Sequence, residues 1–245
     1  MAVNPPQVSV VIPAYNEATY IDRLLDALTK QTFKDFEVIV SDAQSKDGTD
    51  KVIEAFKNRL DIKFIEAPPK GPGYGRNVGA KAARGEWLLF LDADIDIDDP
   101  NFIEILLSRT IDKDWNTSSA KMKARKPFAL PVLYYYQKLL AHTKHPVAQG
   151  WCILTKKDIF EKNHGFNEKI LFGEDNDYVS RTGKHGFGFV DDTHYFVDLR
   201  RNEEEGTGLL IKSIKNEIYR HTHGYNLENS PFKYEFGKHK LRKKQ

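Results

Sequence analysis

Several features that would each assign a protein to a class are scarce in this sequence. Its 245 residues contain one cysteine, Cys152, so an internal disulfide is excluded. No apolar run approaches the ~20 residues that a membrane span requires, and the residues after Met1 lack the basic start and apolar core of a secretory signal. The formal net charge is +2, so the chain does not have the basic excess typical of nucleic-acid-binding proteins. We therefore expect a cytoplasmic protein with no membrane span and no nucleic-acid partner.

The overall composition of the chain is ordinary for a globular protein. Hydrophobic residues make up 40% of the chain and charged residues 29%, and 245 residues are enough to bury a sizeable core in one domain. The first half alternates short β-rich runs with segments of helical periodicity. The predicted strands are 8–14, 36–42, 62–67 and 86–92, each followed by turn residues or a helical pattern. This alternation predicts an α/β fold with a mainly parallel sheet covered by helices.

Four acidic residues on alternate positions follow the fourth predicted strand in LLFLDADIDID (88–98). If the chain stays extended past Leu91, Asp92 and Asp94 project to the same side and can face one cation. Ligands of open parallel sheets bind beyond the carboxyl ends of the strands, where these residues fall. The sequence therefore predicts a cation site at Asp92 and Asp94.

Two other classes of protein carry acidic residues in a similar pattern. A calcium-binding EF-hand loop that began at Asp92 would require Gly and Glu where the chain has Ile97 and Ile103, so that class is excluded. A haloacid-dehalogenase-like phosphatase has Thr or Val directly after the acidic pair, and the motif usually opens the domain. Here the motif comes after roughly ninety residues, so that class is disfavoured. For Asp98 and Asp99 we expect a plain role as solvated residues that cap the helix starting near Pro100.

Together with three other segments, the acidic motif resembles the family 2 glycosyltransferases, inverting enzymes of the GT-A fold. The segments that carry the resemblance are VSVVIPAYNE (8–17), FEVIVSDAQSKDGT (36–49), KGPGYGRNVGAKAARGEWLLFLDAD (70–94) and GWCILTKKDIFEKNHGFNEKILFGEDNDYVSR (150–181). The resemblance implies one GT-A domain over residues 1–235, a Rossmann-like nucleotide-binding half merged with an acceptor-binding half. Its expected parts are a donor-binding half at 8–98, an acceptor half at 99–195, a helical extension at 205–235 and a basic tail at 236–245.

The resemblance also implies an activity and its residues. A sugar would pass from a nucleoside-diphosphate sugar to an acceptor hydroxyl with inversion, with Asp175 as general base and Glu174 beside it. The implied donor-binding residues are Pro13, Ala14, Tyr15, Glu17, Asp42, Arg76, Asn77, Asp92, Ala93 and Asp94. The implied ligands of a Mg²⁺ or Mn²⁺ ion are Asp94, Asp92 and His194. The implied contacts with the acceptor or a phosphate are Trp151, Arg200 and Arg201.

Some assignments stay open at this stage. Many family members have a second Asp, which often contacts the base, where this chain has Ala43, so the resemblance does not fix uracil as the base. A UDP-sugar is the first expectation for the donor and a GDP-sugar the next. Glu17 is equally suited to cap the following helix. His194 is also open to a structural role, and Trp151 to plain burial in the core. The two arginines would also be explained by a surface ion-pair cluster with 203–205. A nucleotide-sugar-binding protein without transferase activity is the alternative function.

The acceptor is expected to be a glycan or a lipid-linked molecule. The aromatic stretch PFALPVLYYYQKLL (127–140), an amphipathic helix near 209–220 and the basic end KHKLRKKQ together favour peripheral contact with an anionic membrane. The same helices would equally complete the core or form a dimer contact.

Overall fold

The computed structural model describes residues 4–124, 130–183, 186–197 and 207–223, together with 228, 230 and 231. Its helices are α1 (Ile21–Thr29), α2 (Thr49–Glu54), α3 (Pro72–Ala82), α4 (Phe102–Asp112), α5 (Leu130–Leu140), α6 (Lys157–Lys162), α7 (Glu174–Thr182) and α8 (Thr207–His223). Its strands are β1 (Val8–Ala14), β2 (Phe36–Asp42), β3 (Ile62–Glu66), β4 (Trp87–Leu91), β5 (Ile95–Asp96), β6 (Thr117–Ala124), β7 (Cys152–Lys156) and β8 (Phe187–Val197). Arg200, Arg201 and the basic tail 236–245 lie outside the described residues.

The strands form one sheet in the order β3-β2-β1-β4-β7-β6-β8-β5. The first four strands of this order are mutually parallel, as predicted, because β1 pairs with both β2 and β4, and β2 pairs with β3. Beyond β4 the sheet becomes mixed: β7 runs antiparallel to β4 and β6, whereas β6 and β8 are parallel. The predicted α/β architecture is confirmed, with the parallel half at one side of the sheet.

Burial explains why the parallel half forms. Every residue of β4 is buried, as expected for a strand that is covered on both faces. Helix α1 presents one apolar face to the sheet, formed by Ile21, Leu24, Leu25 and Leu28, each fully buried. The chain therefore builds a continuous core on which the carboxyl ends of β1, β2 and β4 are held at one edge.

Helix α3 packs unusually close to β1 because of its glycines. A Cβ atom placed on Gly79 would lie 2.4 Å from Val11 Cγ1, and one on Gly75 would lie 3.2 Å from Pro13 Cβ. The Ser41 hydroxyl donates to the Gly75 carbonyl oxygen at 2.7 Å. This close approach fixes the depth of α3 and therefore the position of Arg76, which follows Gly75 directly.

The described part of the aromatic stretch forms α5, Leu130–Leu140, which lies beside α8. The Tyr136 hydroxyl donates to Glu217 Oε1 at 3.1 Å across the two helices. Tyr135 and Leu139 on α5 are 64% and 75% exposed, and Ile218 on α8 is 58% exposed. None of the helices in the described part of the chain has the length and hydropathy of a membrane span.

Candidate active site

The loops after β1 and β2 are joined by hydrogen bonds at the edge of the sheet. The Ala43 N–H donates to the Ala14 carbonyl oxygen at 2.8 Å, and the Asn16 N–H donates to Ser45 Oγ at 2.8 Å. The Asp42 carboxylate accepts from the Ser45 hydroxyl at 2.5 Å and from the Ser45 N–H at 2.8 Å. Asp42 is 3% exposed, and this burial raises the pKa of its carboxyl. The predicted donor residues of β1 and β2 thus share one preformed surface.

A second set of bonds in the same loops was missed from the sequence. Asp47 Oδ1 accepts from the Thr49 hydroxyl at 2.6 Å, and Asp47 Oδ2 accepts from the Ala18 N–H at 3.0 Å. The Glu17 N–H in turn donates to Thr49 Oγ1 at 2.9 Å. The Glu17 carbonyl oxygen accepts the first N–H of α1, that of Ile21, at 2.9 Å. The only available signal was the turn chemistry of SKDGT, which indicates an Asp-centred turn but not its partner.

The acidic run after β4 forms a turn. Strand β4 ends at Leu91, and the Ile95 N–H reaches the Asp92 carbonyl oxygen at 3.4 Å. The condition that the chain stays extended past Leu91 is therefore not met, because the chain turns at Ala93 and Asp94 before it enters β5. Asp94 is 8% exposed, whereas the Asp92 side chain is 23% exposed. The two carboxylates are held by a turn at the carboxyl end of a buried strand.

Arg76 lies between the acidic turn and the predicted catalytic pair. Its guanidinium, 2% exposed, donates to Asp92 Oδ1 at 2.7 Å, to Glu174 Oε1 at 2.8 Å and to the Gly150 carbonyl oxygen at 3.3 Å. The guanidinium carbon also lies 5.3 Å from the centre of the Phe166 ring. Both carboxylates raise the pKa of Arg76, so this group stays cationic. Residues separated by as many as 98 positions in sequence therefore meet at one buried cation.

Asp175 follows Glu174 in the first turn of α7 and is partly buried. Its Oδ2 atom accepts from the Gly150 N–H at 2.7 Å, and its Oδ1 atom accepts from the Asn176 N–H at 2.7 Å. Burial and the neighbouring Glu174 carboxylate raise the pKa of Asp175 to about 7, against the opposing effect of Arg76. A carboxyl that titrates near neutral pH is suited to general-base catalysis.

The Asn77 side chain holds the loop that leads to α7. Its Nδ2 atom donates to the Phe166 carbonyl oxygen and to Glu168 Oε1, both at 2.9 Å, and its Oδ1 atom accepts from the Phe166 N–H at 2.9 Å. A contact between Asn77 and the donor stays a prediction. What the structure adds is that the adjacent residues Arg76 and Asn77 bind two different parts of the segment that carries the predicted catalytic pair.

The remaining predicted residues lie around this centre. His194 Nε2 is 3.3 Å from Asp98 Oδ1, and burial together with Lys123 lowers the pKa of the imidazole. The Trp151 side chain packs against the core, and its carbonyl oxygen accepts from the Asp92 N–H at 3.2 Å. Arg200 and Arg201 were predicted as a phosphate clamp and lie outside the described residues.

The expected cap of α4 also differs. The Asp99 carboxylate accepts from the Asn101 N–H at 2.9 Å and from the Thr193 hydroxyl at 2.6 Å, so it tethers β8 and the entry to the helix. The Ile103 N–H at the start of α4 instead donates to Gln31 Oε1 at 3.0 Å. Gln31 is distant in sequence, which is why local pattern reading missed it.

The fit of a divalent cation can be judged from the chemistry of these groups. Among the described residues no three His, Cys, Asp or Glu side chains are arranged to hold a metal ion. Asp92 and Asp94 supply hard carboxylate oxygens, which suit Mg²⁺ or Mn²⁺. Mg²⁺ is commonly bound by one or two carboxylates together with phosphate oxygens of a substrate. The two residues therefore fit a cation site that a diphosphate completes.

A cavity of about 750 Å³ opens beside α7 and is lined by Asp177, Ser180 and Arg181 among others. Asp177 lies two residues after Asp175, which places it about 200° further around the helix. The Arg181 guanidinium is occupied by Asp177 and by the carbonyl oxygens of Asn163 and Gly165. The cavity therefore faces a different side of α7 from the Asp175 carboxylate.

Comparison with known proteins agrees with this architecture. Residues 9–163 match the family model described as glycosyl transferase family 2. A poly(ribitol-phosphate) beta-N-acetylglucosaminyltransferase, TarS of Staphylococcus aureus strain Mu50, is 44% identical over 90 residues, which cover 35% of this chain and 16% of that protein. A validoxylamine A glucosyltransferase of Streptomyces hygroscopicus is 39% identical over 107 residues, which cover 42% of this chain and 25% of that protein. The matched stretches thus span a minor part of these relatives.

Solved structures show the same fold. A crystal structure of S. aureus TarS in complex with UDP-GlcNAc superposes with a TM-score of 0.68 at 25% identity, over 78% of this chain and 58% of that one. A mannosyltransferase of Pyrobaculum calidifontis, in complex with GDP-Man and Mn²⁺, superposes with a TM-score of 0.70 at 20% identity, over 86% of this chain and 65% of that one. The GT-A fold predicted from the sequence is confirmed.

Proposed function

The chain belongs to glycosyl transferase family 2, and from that premise we propose that it transfers a sugar from a nucleoside-diphosphate sugar to an acceptor hydroxyl with inversion. The observation that carries the proposal is the meeting of donor-side and acceptor-side carboxylates at one buried cation. Asp92 and Glu174 bind the same guanidinium, that of Arg76, and Asp175 lies directly beside Glu174. Groups for the departure of the nucleotide and for activation of the acceptor therefore lie within one site.

Asp175 acts as the general base in this proposal. It takes the proton of the acceptor hydroxyl while the hydroxyl oxygen forms a bond to the anomeric carbon of the sugar. The bond from that carbon to the diphosphate oxygen breaks on the opposite face, and the nucleoside diphosphate leaves with the electron pair. The two backbone N–H groups that bind Asp175 fix its orientation, and a positioned base contributes ~10²–10⁴-fold to the rate.

The loops after β1 and β2 bind the nucleoside. Pro13, Ala14, Tyr15 and Glu17 lie at the end of β1, and the buried Asp42 ends β2. UDP is the first choice of nucleotide, because the TarS structure contains UDP-GlcNAc, and GDP is the next, because the mannosyltransferase structure contains GDP-Man. Ala43 in place of an acidic residue leaves the base to be contacted by Asp42 and the backbone.

Asp94 and Asp92 are the residues that would hold Mg²⁺ or Mn²⁺, with Ala93 between them and His194 as a further candidate ligand. When bound, the cation would offset the negative charge that develops on the departing diphosphate. The side chains themselves contribute hard oxygen donors at the end of a rigid strand, so the ligand positions are held before the donor arrives.

Thermal unfolding with nucleotides tests the donor site directly. A ligand at 100 times its dissociation constant stabilises the folded state by ~2.7 kcal/mol, which corresponds to a shift of ~5–10 °C for a chain of this size. UDP, GDP, dTDP, CDP and ADP are each measured with and without Mn²⁺. We expect one of them to raise Tm by this amount with Mn²⁺ present, and by a smaller amount without it.

Turnover separates transfer from binding. Release of nucleoside diphosphate from UDP-GlcNAc and GDP-mannose is followed with Mn²⁺ present, and we expect release from the sugar whose nucleotide stabilises the protein. Binding of the nucleotide without any release or transfer would support the alternative, a nucleotide-sugar-binding protein. A chain that no nucleotide stabilises would contradict the proposal.

Peripheral contact with an anionic membrane, where a lipid-linked acceptor would lie, is proposed for the face formed by α5 and α8. Among the described side chains of this face, Tyr135, Leu139 and Ile218 are more than half exposed, and the sequence includes the basic stretch KHKLRKKQ. Each basic residue near such a surface contributes ~1 kcal/mol of attraction. We expect cosedimentation with vesicles rich in phosphatidylserine at physiological salt, and a decrease when Tyr135 and Leu139 are both changed to Ser.

The matched control is Ile111→Ser, which removes an apolar side chain that is 49% exposed on α4. This variant should cosediment as the wild type does. Full recovery of the wild-type protein in the supernatant would exclude the proposed membrane contact.

A further inference from the structure

The surroundings of Arg76 differ from those expected of a cation that is free to bind the donor. Its side chain is 2% exposed, and its two terminal nitrogens are bound by Asp92, Glu174 and the Gly150 carbonyl oxygen. Ligands of a diphosphate need N–H groups that face the ligand. The geometry of Arg76 therefore points to a role inside the protein framework.

The bonds of Arg76 connect three separate segments of the active site. Asp92 follows β4, Gly150 precedes β7, and Glu174 begins α7. Residue Gly150 is bound through both of its backbone polar groups, since its carbonyl oxygen accepts from Arg76 at 3.3 Å and its N–H donates to Asp175 at 2.7 Å. A continuous path of hydrogen bonds thus runs from the donor-side carboxylate to the catalytic base.

Gly150 shows how closely this arrangement is packed. A Cβ atom on residue 150 would lie 2.5 Å from a terminal nitrogen of Arg76 and 3.2 Å from Asp175 Cβ. Only glycine lets the guanidinium and the catalytic helix approach the same peptide. In addition, Arg76 Nε is buried without a hydrogen-bond partner among the described residues. A buried donor left unbonded is unfavourable for stability, so it calls for an explanation beyond folding.

We propose that Arg76 is a positioning residue, which holds the Asp92 carboxylate and the Glu174–Asp175 pair as one rigid unit rather than binding the donor diphosphate itself. This inference rests on the proposed transferase function. Arginine suits the task because its planar fork binds two carboxylates and a carbonyl oxygen in fixed directions. Lysine keeps the charge but cannot reproduce the fork, so the unit would lose its geometry while the site kept its charge.

Arg76→Lys is the decisive variant. A displacement of about 1 Å in a reacting group costs ~10²-fold in rate, so we expect kcat to fall ~10²-fold. The dissociation constant for UDP or GDP, whichever binds the wild type, should change less than threefold when measured by titration without Mn²⁺, where the cation site does not contribute. The ligand-free Tm, measured alongside, reports any loss of folding.

A double-mutant cycle distinguishes positioning from a purely structural ion pair. Because Arg76 and Glu174 act as one unit, Arg76→Lys combined with Glu174→Gln should cost little more in kcat than the costlier single change. The matched control is Arg59→Gln, which removes an arginine bound to Asp26 at 3.0 Å on an exposed surface. Its kcat should equal that of the wild type.

The outcomes separate the possible roles. In one outcome, the nucleotide dissociation constant of Arg76→Lys increases tenfold or more while kcat at saturating donor is unchanged. This result would make Arg76 a donor ligand and overturn the inference. Unchanged kcat and unchanged binding would reduce it to a structural residue. A wild-type protein that neither binds nor turns over any nucleotide sugar would instead refute the proposed function, which is a different result from either of these.

Discussion

Asp175→Asn is expected to lower turnover by ~10²–10⁴-fold, the range for loss of a positioned general base. Asn has nearly the shape of Asp, and its one carbonyl oxygen can still accept the Gly150 N–H bond observed at 2.7 Å. The Asn176 N–H, which binds the other oxygen of Asp175 at 2.7 Å, loses its acceptor, so the ligand-free Tm is measured alongside turnover to show that α7 keeps its fold. It cannot take up the proton of the acceptor hydroxyl. The variant should therefore bind the nucleotide as the wild type does and fail in the chemical step.

The measurement pairs kcat with the dissociation constant of the nucleotide for the same preparations. Asp158→Asn serves as the matched control, because it makes the same chemical change at a carboxylate that is 58% exposed on α6. Normal turnover by Asp175→Asn would remove Asp175 from the mechanism and leave Glu174 as the next carboxylate to test.

The pH dependence of the wild type gives the same residue a second test. The pKa of Asp175 is raised from 3.8 to about 7, chiefly by burial and then by Glu174, while Arg76 and the N–H groups of Gly150 and Asn176 oppose the rise. The base form therefore predominates only above about pH 7. We expect log kcat/KM to rise with pH up to this value and then level off. The rise should be absent in Asp175→Asn. A flat profile from pH 5 to 8 in the wild type would contradict the assignment.

The same shift affects stability with a definite sign. Because the folded pKa lies above the ordinary 3.8, the native state holds the proton more tightly than the unfolded chain. This contribution to stability is fully present below pH 3.8 and is lost as pH rises through about 7. The free energy of unfolding of Asp175→Asn, relative to that of the wild type, should thus increase over that interval.

The parallel half of the fold could be predicted because its signals are local. Runs such as VSVVIPA and WLLFL are mainly apolar, and α1 repeats its apolar residues at helical spacing. Strand β6 was not predicted, because TSSAKMKA has few apolar residues and owes its burial to its neighbours. Its Ser118 hydroxyl, for example, lies 2.6 Å from the Thr110 hydroxyl on α4. Tertiary packing decides such a strand, and a local pattern does not contain it.

The candidate site shows the same division. The resemblance located Asp92, Glu174 and Asp175, because each lies in a contiguous motif. It also named Arg76, yet the sequence carried no sign that this residue joins Asp92 to Glu174, since that contact spans 98 positions. The turn at Ala93 and Asp94 was missed for a related reason: whether a strand continues depends on its pairing, and the pairing of β4 with β7 ends just after Leu91, with a last bond from the Asp92 N–H to the Trp151 carbonyl oxygen.

Asp94→Ala is the change by which the acidic turn itself is tested. Asp94 is 8% exposed in the turn after β4, where in the proposed function its carboxylate would supply a hard oxygen ligand for a cation beside the diphosphate. Loss of one preorganised group that stabilises developing charge costs ~10²–10³-fold in kcat. We expect a decrease of this size, and we expect the Tm increase that requires both nucleotide and Mn²⁺ to disappear. The thermal measurement is independent of turnover, so it reports the cation site even when the acceptor is not known.

Asp112→Ala is the appropriate control, because it removes a carboxylate that is 62% exposed on α4 and pairs with Arg109 at a distance of 3.8 Å. This variant should retain the full nucleotide and Mn²⁺ response. If Asp94→Ala also retained it, the cation would have to be bound elsewhere, and the acidic turn would be a solvated connection between β4 and β5. If the response were lost only at Asp94, the cation would be bound at the acidic turn, where Asp94 supplies a carboxylate oxygen close in sequence to the Asp92 that Arg76 holds at 2.7 Å.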